Sequence, residues 1–177
     1  NGAKAISIQL SKPNYKVDWN DVEKAITSKT RMIIINTPHN PSGTVFSKED
    51  MLQLQALTSG TNIIVLSDEV YEHLIYDNEQ HQSACLFSDL KSRSFITASF
   101  GKTFHNTGWK TGYCCAPKDL MDEFIKVHQF NVFSVNHPMQ IALAKYLEDE
   151  NTYLELSKFY QKKRDLFLGL MQDSRFK

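Results

Sequence analysis

The chain has 177 residues, 41% of them apolar and 11% aromatic, enough to bury a sizeable core as one large domain or as a piece of something bigger. Twenty basic and twenty acidic side chains cancel to a formal net charge of zero, so no long-range field recruits nucleic acid or an anionic membrane, and a small ligand recognised locally is the expected partner. No run approaches the roughly 18 apolar residues of a membrane span. The opening NGAKAISIQL lacks a charged segment followed by an apolar one.

Three cysteines, with Cys114 and Cys115 adjacent, form neither a disulfide framework nor a zinc site, and the expected setting is reducing and cytoplasmic. Because the first residue is Asn1 rather than methionine, the natural N-terminus is expected upstream.

In chain order the elements alternate. DWNDVEKAI offers Asp18 as an N-cap with Val22 and Ile26 on one face, which predicts a short helix. MIIIN (Met32 to Asn36) is an unbroken apolar run, the pattern of a strand covered on both faces in a parallel sheet. In SKEDMLQLQALTSG, Ser47 caps, Asp50 sits three residues on, Met51, Leu54 and Leu57 share a face, and Gly60 stops the helix. NIIVLSDEVY is a second buried strand whose apolar part ends at Leu66. The polar loop DNEQHQSA leads to a third strand, Ser94 to Phe100, and GYCCAP is a fourth, ending at Pro117. Helices are predicted from Lys118 to about Phe130, from Met139 to Leu147 and from Tyr153 to about Met171. The last, with Leu156, Phe159, Lys163, Phe167 and Leu170, has the look of a connector.

Strand, helix, strand recurring about every 30 residues is the βαβ unit, which predicts an α/β fold with three α/β/α layers around a mostly parallel sheet. Ligands of such sheets gather at the carboxyl ends of the strands. That rule selects Asn40 after the first strand, Asp68 and Tyr71 after the second, and Ser99 and Lys102 after the third.

The chemistry of this set is specific. An asparagine amide and a tyrosine hydroxyl can both donate to a phenolate oxygen, a carboxylate can hold a pyridinium proton, and a lysine amine can condense with an aldehyde. Pyridoxal phosphate carries all three groups. Its phosphate needs hydroxyl and cationic donors, which Ser99 and Lys110 supply. An ionised Asp68 beside the ring nitrogen keeps that nitrogen protonated.

The stretches NTPHNPSG, SDEVYEHL, SFGKTFHNTGWKTGY and KVHQFNVFSVNHPMQ resemble the successive landmarks of fold-type-I, class I and II pyridoxal-phosphate aminotransferases, most closely the methionine and kynurenine branch. The resemblance covers essentially the whole chain. It implies that Lys102 carries the cofactor covalently and shuttles a proton, that Asp68 binds the pyridine nitrogen, that Tyr71 and Asn40 hold the phenolic oxygen, and that Ser99 and Lys110 contact the phosphate. Lys110 stands where many relatives have arginine, a point charge in place of a fork. The resemblance further implies ping-pong transfer between a neutral, sulfur-containing or aromatic amino acid and a 2-oxo acid, and a homodimer.

Residues 1–150 would be the central and C-terminal part of the large cofactor-binding domain, and 151–177 a connector toward a smaller domain. The chain would thus be a large domain truncated at both ends and inactive alone. A carbon–sulfur β-lyase of the same fold is the competing chemistry, with Tyr71 favouring transfer; a non-catalytic fragment is the third reading. Gly101-Lys102-Thr103 mimics the end of a nucleotide-binding loop, but that motif needs glycine at Ile96. None of the six histidines pairs at zincin spacing, so no metal is expected.

Overall fold

The computed structural model describes residues 2–175. Its elements in chain order are α1 (Trp19–Ala25), β1 (Met32–Asn36), α2 (Lys48–Thr58), β2 (Ile64–Asp68), α3 (Ser88–Lys91), β3 (Ser94–Ser99), α4 (Phe100–Thr103), β4 (Gly112–Cys115), α5 (Lys118–Asn131), α6 (His137–Tyr146), α7 (Asn151–Leu154) and α8 (Leu156–Met171). The strands form one sheet in the order β1-β2-β3-β4. The first three are parallel, with Asn36 opposite Asp68 and Asp68 opposite Thr97. β4 runs antiparallel, pairing Gly112 with Ser99. The carboxyl ends of β1, β2 and β3 and the start of β4 therefore share one edge. This is the mostly parallel α/β arrangement expected from the alternation of elements.

Local signals explain the helix starts. Asp18 caps α1 by accepting from the Asn20 amide, and Ser47 and Asp50 form a reciprocal capping box at α2. Gly60, at φ +70°, follows α2 in the left-handed conformation that ends many helices. The core lies between α2 and one sheet face: Met51, Leu54, Val65, Ala84 and Leu90 are each 0% exposed, with Ile35, Phe46 and Phe87 around them. Full burial of each large apolar side chain here contributes about 1.5–3 kcal/mol. Trp19 closes this face, its ring edge-on to Phe46 and its indole N–H donating to Asp50 at 2.9 Å.

The opposite face is covered only in part. α5 reaches it, Phe124 lying 6.1 Å from Phe95 between ring centroids, but Ile34 remains 67% exposed. The expectation that β1 is covered on both faces is thus met on one, because α1 to α3 all pack on the Ile35 side. The predicted helix from Tyr153 breaks at Glu155 into α7 and α8. Lacking any buried residue, α8 rests on the loop after β2: the Ser157 hydroxyl donates to the Ile75 carbonyl, and Arg164 makes two bonds of 2.6 Å to the Asp77 carboxylate.

Candidate active site

At the end of β1 the chain turns through Thr37-Pro38-His39-Asn40-Pro41. The turn is tied internally, the His39 amide donating to the Thr44 carbonyl at 2.8 Å and the Gly43 amide to the His39 carbonyl at 2.7 Å. Gly43 takes φ +75°, a conformation that favours glycine. Asn36, which the sequence reading passed over as the last strand residue, is the hub. Its Oδ1 accepts the Asn40 amide at 2.8 Å, and its Nδ2 donates to the Asp68 carbonyl at 3.1 Å. One side chain thus fixes Asn40 relative to Asp68.

Asn40 Nδ2 donates to the Tyr71 hydroxyl at 3.5 Å, so these two expected neighbours do meet. They line a surface cleft of about 330 Å³ together with His39, Leu74, Tyr76 and Arg164. Asp68 is half-buried at the end of β2, its Oδ1 accepting from the Val70 amide at 3.2 Å.

One strand over, Ser99 ends β3, two residues past Thr97. With strands about 4.8 Å apart and a rise of about 3.3 Å per residue, the Asp68 and Ser99 backbones lie about 8 Å apart. Ser99 lines a second cleft, of about 350 Å³, with Glu72, Phe100 and Tyr113. Lys102 follows on α4 and is exposed. Lys110 sits two residues before Gly112, at φ 55°, a left-handed conformation uncommon outside glycine and asparagine.

The six residues therefore occupy one sheet edge, but a side-chain hydrogen bond joins only Asn40 and Tyr71 among them. Among the described residues no hydrogen bond ties Lys102, Ser99 or Lys110 to Asn40, Asp68 or Tyr71.

Two glycines set how closely β4 and the turn before it approach Ser99. A Cβ at Gly112 would lie 2.5 Å from the Ala98 carbonyl oxygen, and one at Gly101 would lie 2.9 Å from Thr107 Cα and 3.3 Å from Ser99 Oγ. Behind them Tyr113 donates to Glu72 at 2.6 Å. Partial burial and that bond push the Tyr113 phenol above its ordinary range.

The donor set fits pyridoxal phosphate. Among the described residues the Ser99 hydroxyl and the Lys102 and Lys110 amines have no hydrogen-bond partner, and Asp68 keeps Oδ2 unengaged. An amide and a phenol side by side suit one phenolic oxygen; an ionisable carboxylate a strand away suits a ring nitrogen. What the sequence reading missed is the support: Asn36, Glu72 with Tyr113, and above all Glu69. That residue is 1% exposed. Its signal was only its place beside Asp68.

Residues 1–177 match the aminotransferase class I and II family throughout. The chain is 44% identical over 167 residues to the methionine aminotransferase of Escherichia coli K12, covering 94% of this chain and 43% of that protein. It is 39% identical over 164 residues to the kynurenine–oxoglutarate transaminase of Dictyostelium discoideum, covering 90% and 38%. Among solved structures, Escherichia coli YbdL, in which a methionine aminotransferase function was identified, superposes with a TM-score of 0.91 at 44% identity, covering 94% of this chain and 44% of that one. The chain spans less than half the length of these relatives. With that family matching along the whole of it, the chain belongs to the class I and II aminotransferases.

Proposed function

We propose that this chain is the cofactor-bearing part of a pyridoxal-phosphate-dependent aminotransferase that moves an amino group between a neutral, sulfur-containing or aromatic amino acid and a 2-oxo acid by a ping-pong cycle. The observation that supports it most is the shared edge: Asn40 and Tyr71 in contact, with Asp68, Ser99, Lys102 and Lys110 leaving the same ends of neighbouring strands. The likeness to methionine and kynurenine enzymes supports the substrate class. A two-copy assembly, a cytoplasmic setting and a connector role for 151–177 belong to the same reading.

When bound, the cofactor supplies an electron sink for charge developing at the amino acid's Cα. The remaining work falls to the chain's own groups. Asp68 holds a proton on the pyridine nitrogen through a charge-assisted bond. Asn40 Nδ2 and Tyr71 Oη orient the ring by donating to its phenolic oxygen. Ser99 Oγ and Lys110 Nζ hold the phosphate, Lys110 as a point charge without the fork that arginine would bring. Lys102 Nζ would bear the cofactor and, when freed by the substrate's own amine, would act at the substrate's Cα–H first as base and then as acid.

The test is a panel of amino donors against one 2-oxo acid with the full-length gene product and its Lys102→Ala variant. Turnover with methionine or aromatic donors, lost in the variant, is expected. Turnover that survives in the variant at the parent rate overturns the role of Lys102, and pyruvate from cysteine conjugates without amino transfer would assign the protein to β-elimination.

A further inference from the structure

Asp68 and Glu69 are adjacent carboxylates in different surroundings. Asp68 is half-buried, whereas Glu69 is the only charged side chain among the described residues that is fully buried. A buried carboxylate is strongly disfavoured unless it is fully bonded, and Glu69 is. Its Oε1 accepts from the Ser67 hydroxyl at 2.8 Å and the Ala84 amide at 3.0 Å, and its Oε2 meets His81 Nε2 at 2.7 Å.

Those partners reach into the core, since Ala84 is 0% exposed and packs with Phe87 and Leu90. The backbone continues the clamp, the Glu69 amide donating to Thr97 at 2.8 Å and the Glu72 amide to the Glu69 carbonyl at 2.9 Å. On the far side of the turn Glu72 is held by Tyr113 of β4. Glu69, Glu72 and His81 cluster within 4.8 Å, but the Glu69 oxygens are already engaged, which marks a hydrogen-bonded tether.

We propose that Glu69 is a positioning residue. Through Ser67, His81 and the Ala84 amide it pins the chain between Asp68, immediately before it, and Tyr71, two residues on, so that both meet the cofactor in register without Glu69 touching it. This rests on the cofactor reading above. Glutamine at this position keeps the shape and one acceptor oxygen, but it loses the charge and sets an amide N–H₂ against His81.

The experiment uses the full-length protein and its Glu69→Gln and Ser67→Ala variants, the second removing a single bond should the first fold poorly. Amide hydrogen exchange of the cofactor-free protein is read at residues 69–74 and, for comparison, in α5, alongside pyridoxal phosphate affinity by titration. The expected result for Glu69→Gln is exchange at 69–74 faster by about tenfold or more, unchanged protection in α5, and a Kd for pyridoxal phosphate raised roughly tenfold, with Ser67→Ala shifting both in the same direction by less. Unchanged exchange at 69–74 overturns the tether. Faster exchange with unchanged cofactor affinity in both variants overturns the positioning role and leaves Glu69 a core residue. Failure of the parent protein to take up pyridoxal phosphate overturns the cofactor reading itself, a result distinct from either, since exchange is measured without the cofactor.

Discussion

Replacing Asp68 with asparagine keeps the shape of the side chain and its bond from the Val70 amide but removes the charge that would hold a ring proton. The Asp68→Asn variant of the full-length protein is therefore expected to fold with the parent's melting temperature and to lose about 100-fold or more in kcat; parent-like kcat would refute the role.

Glu69 makes a different prediction, in pH. Burial raises its carboxyl, but the bonds from His81 and the Ala84 amide, with the His81 charge, more than offset this and leave it below the ordinary value of 4.5. Its neighbour His73, facing Glu72 and His81, is pushed by burial below its ordinary 6.5. In both cases the unfolded chain binds the proton more readily, so stability is full above the ordinary value and falls as pH drops through the folded one. Urea unfolding from pH 7 to pH 3.5 should show stability declining below pH 6.5 and more steeply below 4.5, with the lower limb flattened in Glu69→Gln; parallel curves would contradict this.

Asn40, Tyr71 and Lys102 were selected because each follows an apolar run, and of these the structure brings Asn40 and Tyr71 together. Glu69 and His81 were not. They stand twelve positions apart, and nothing in Asp68-Glu69 tells which carboxylate turns inward.

At the scale of elements, short-range signals carried well. Ser47 and Asp50 cap α2 as their spacing suggests, and Ser47→Ala should lower stability by about 1 kcal/mol in urea unfolding. Gly112 is set by a tertiary approach that no local pattern reveals. A methyl group there would strike the Ala98 carbonyl, so Gly112→Ala should destabilise by about 1–3 kcal/mol and, by spreading β4 from Ser99, weaken phosphate binding; neutral effects on both would contradict the packing. The 3-10 turn at Ala84–Leu86 and the short α3 follow the polar loop, where the sequence reading placed no element. The break at Glu155 escaped because neither proline nor glycine marks it.

For the molecule as a whole, the βαβ alternation made the parallel sheet readable from apolar runs and caps alone, while the uneven covering of its faces depends on where helices pack and was not readable. That unevenness leaves Ile34 at 67%, Phe130 at 89%, Phe133 at 80% and Leu170 at 76% exposure, on a chain whose formal net charge is zero. Apolar surface without charge repulsion promotes association. The 177-residue chain alone should bind a hydrophobic dye and associate as concentration rises in sedimentation, and Phe130→Ser with Phe133→Ser should reduce both; a dye-silent monomer at high concentration would contradict this.

The account as a whole depends on the amine of Lys102 reaching the cofactor at the edge shared by Asn40, Asp68 and Tyr71. Borohydride reduction of the full-length protein loaded with pyridoxal phosphate, followed by peptide mapping, measures that directly. The account predicts a stable label on Lys102; a label on Lys110 or another lysine, or none, would contradict it.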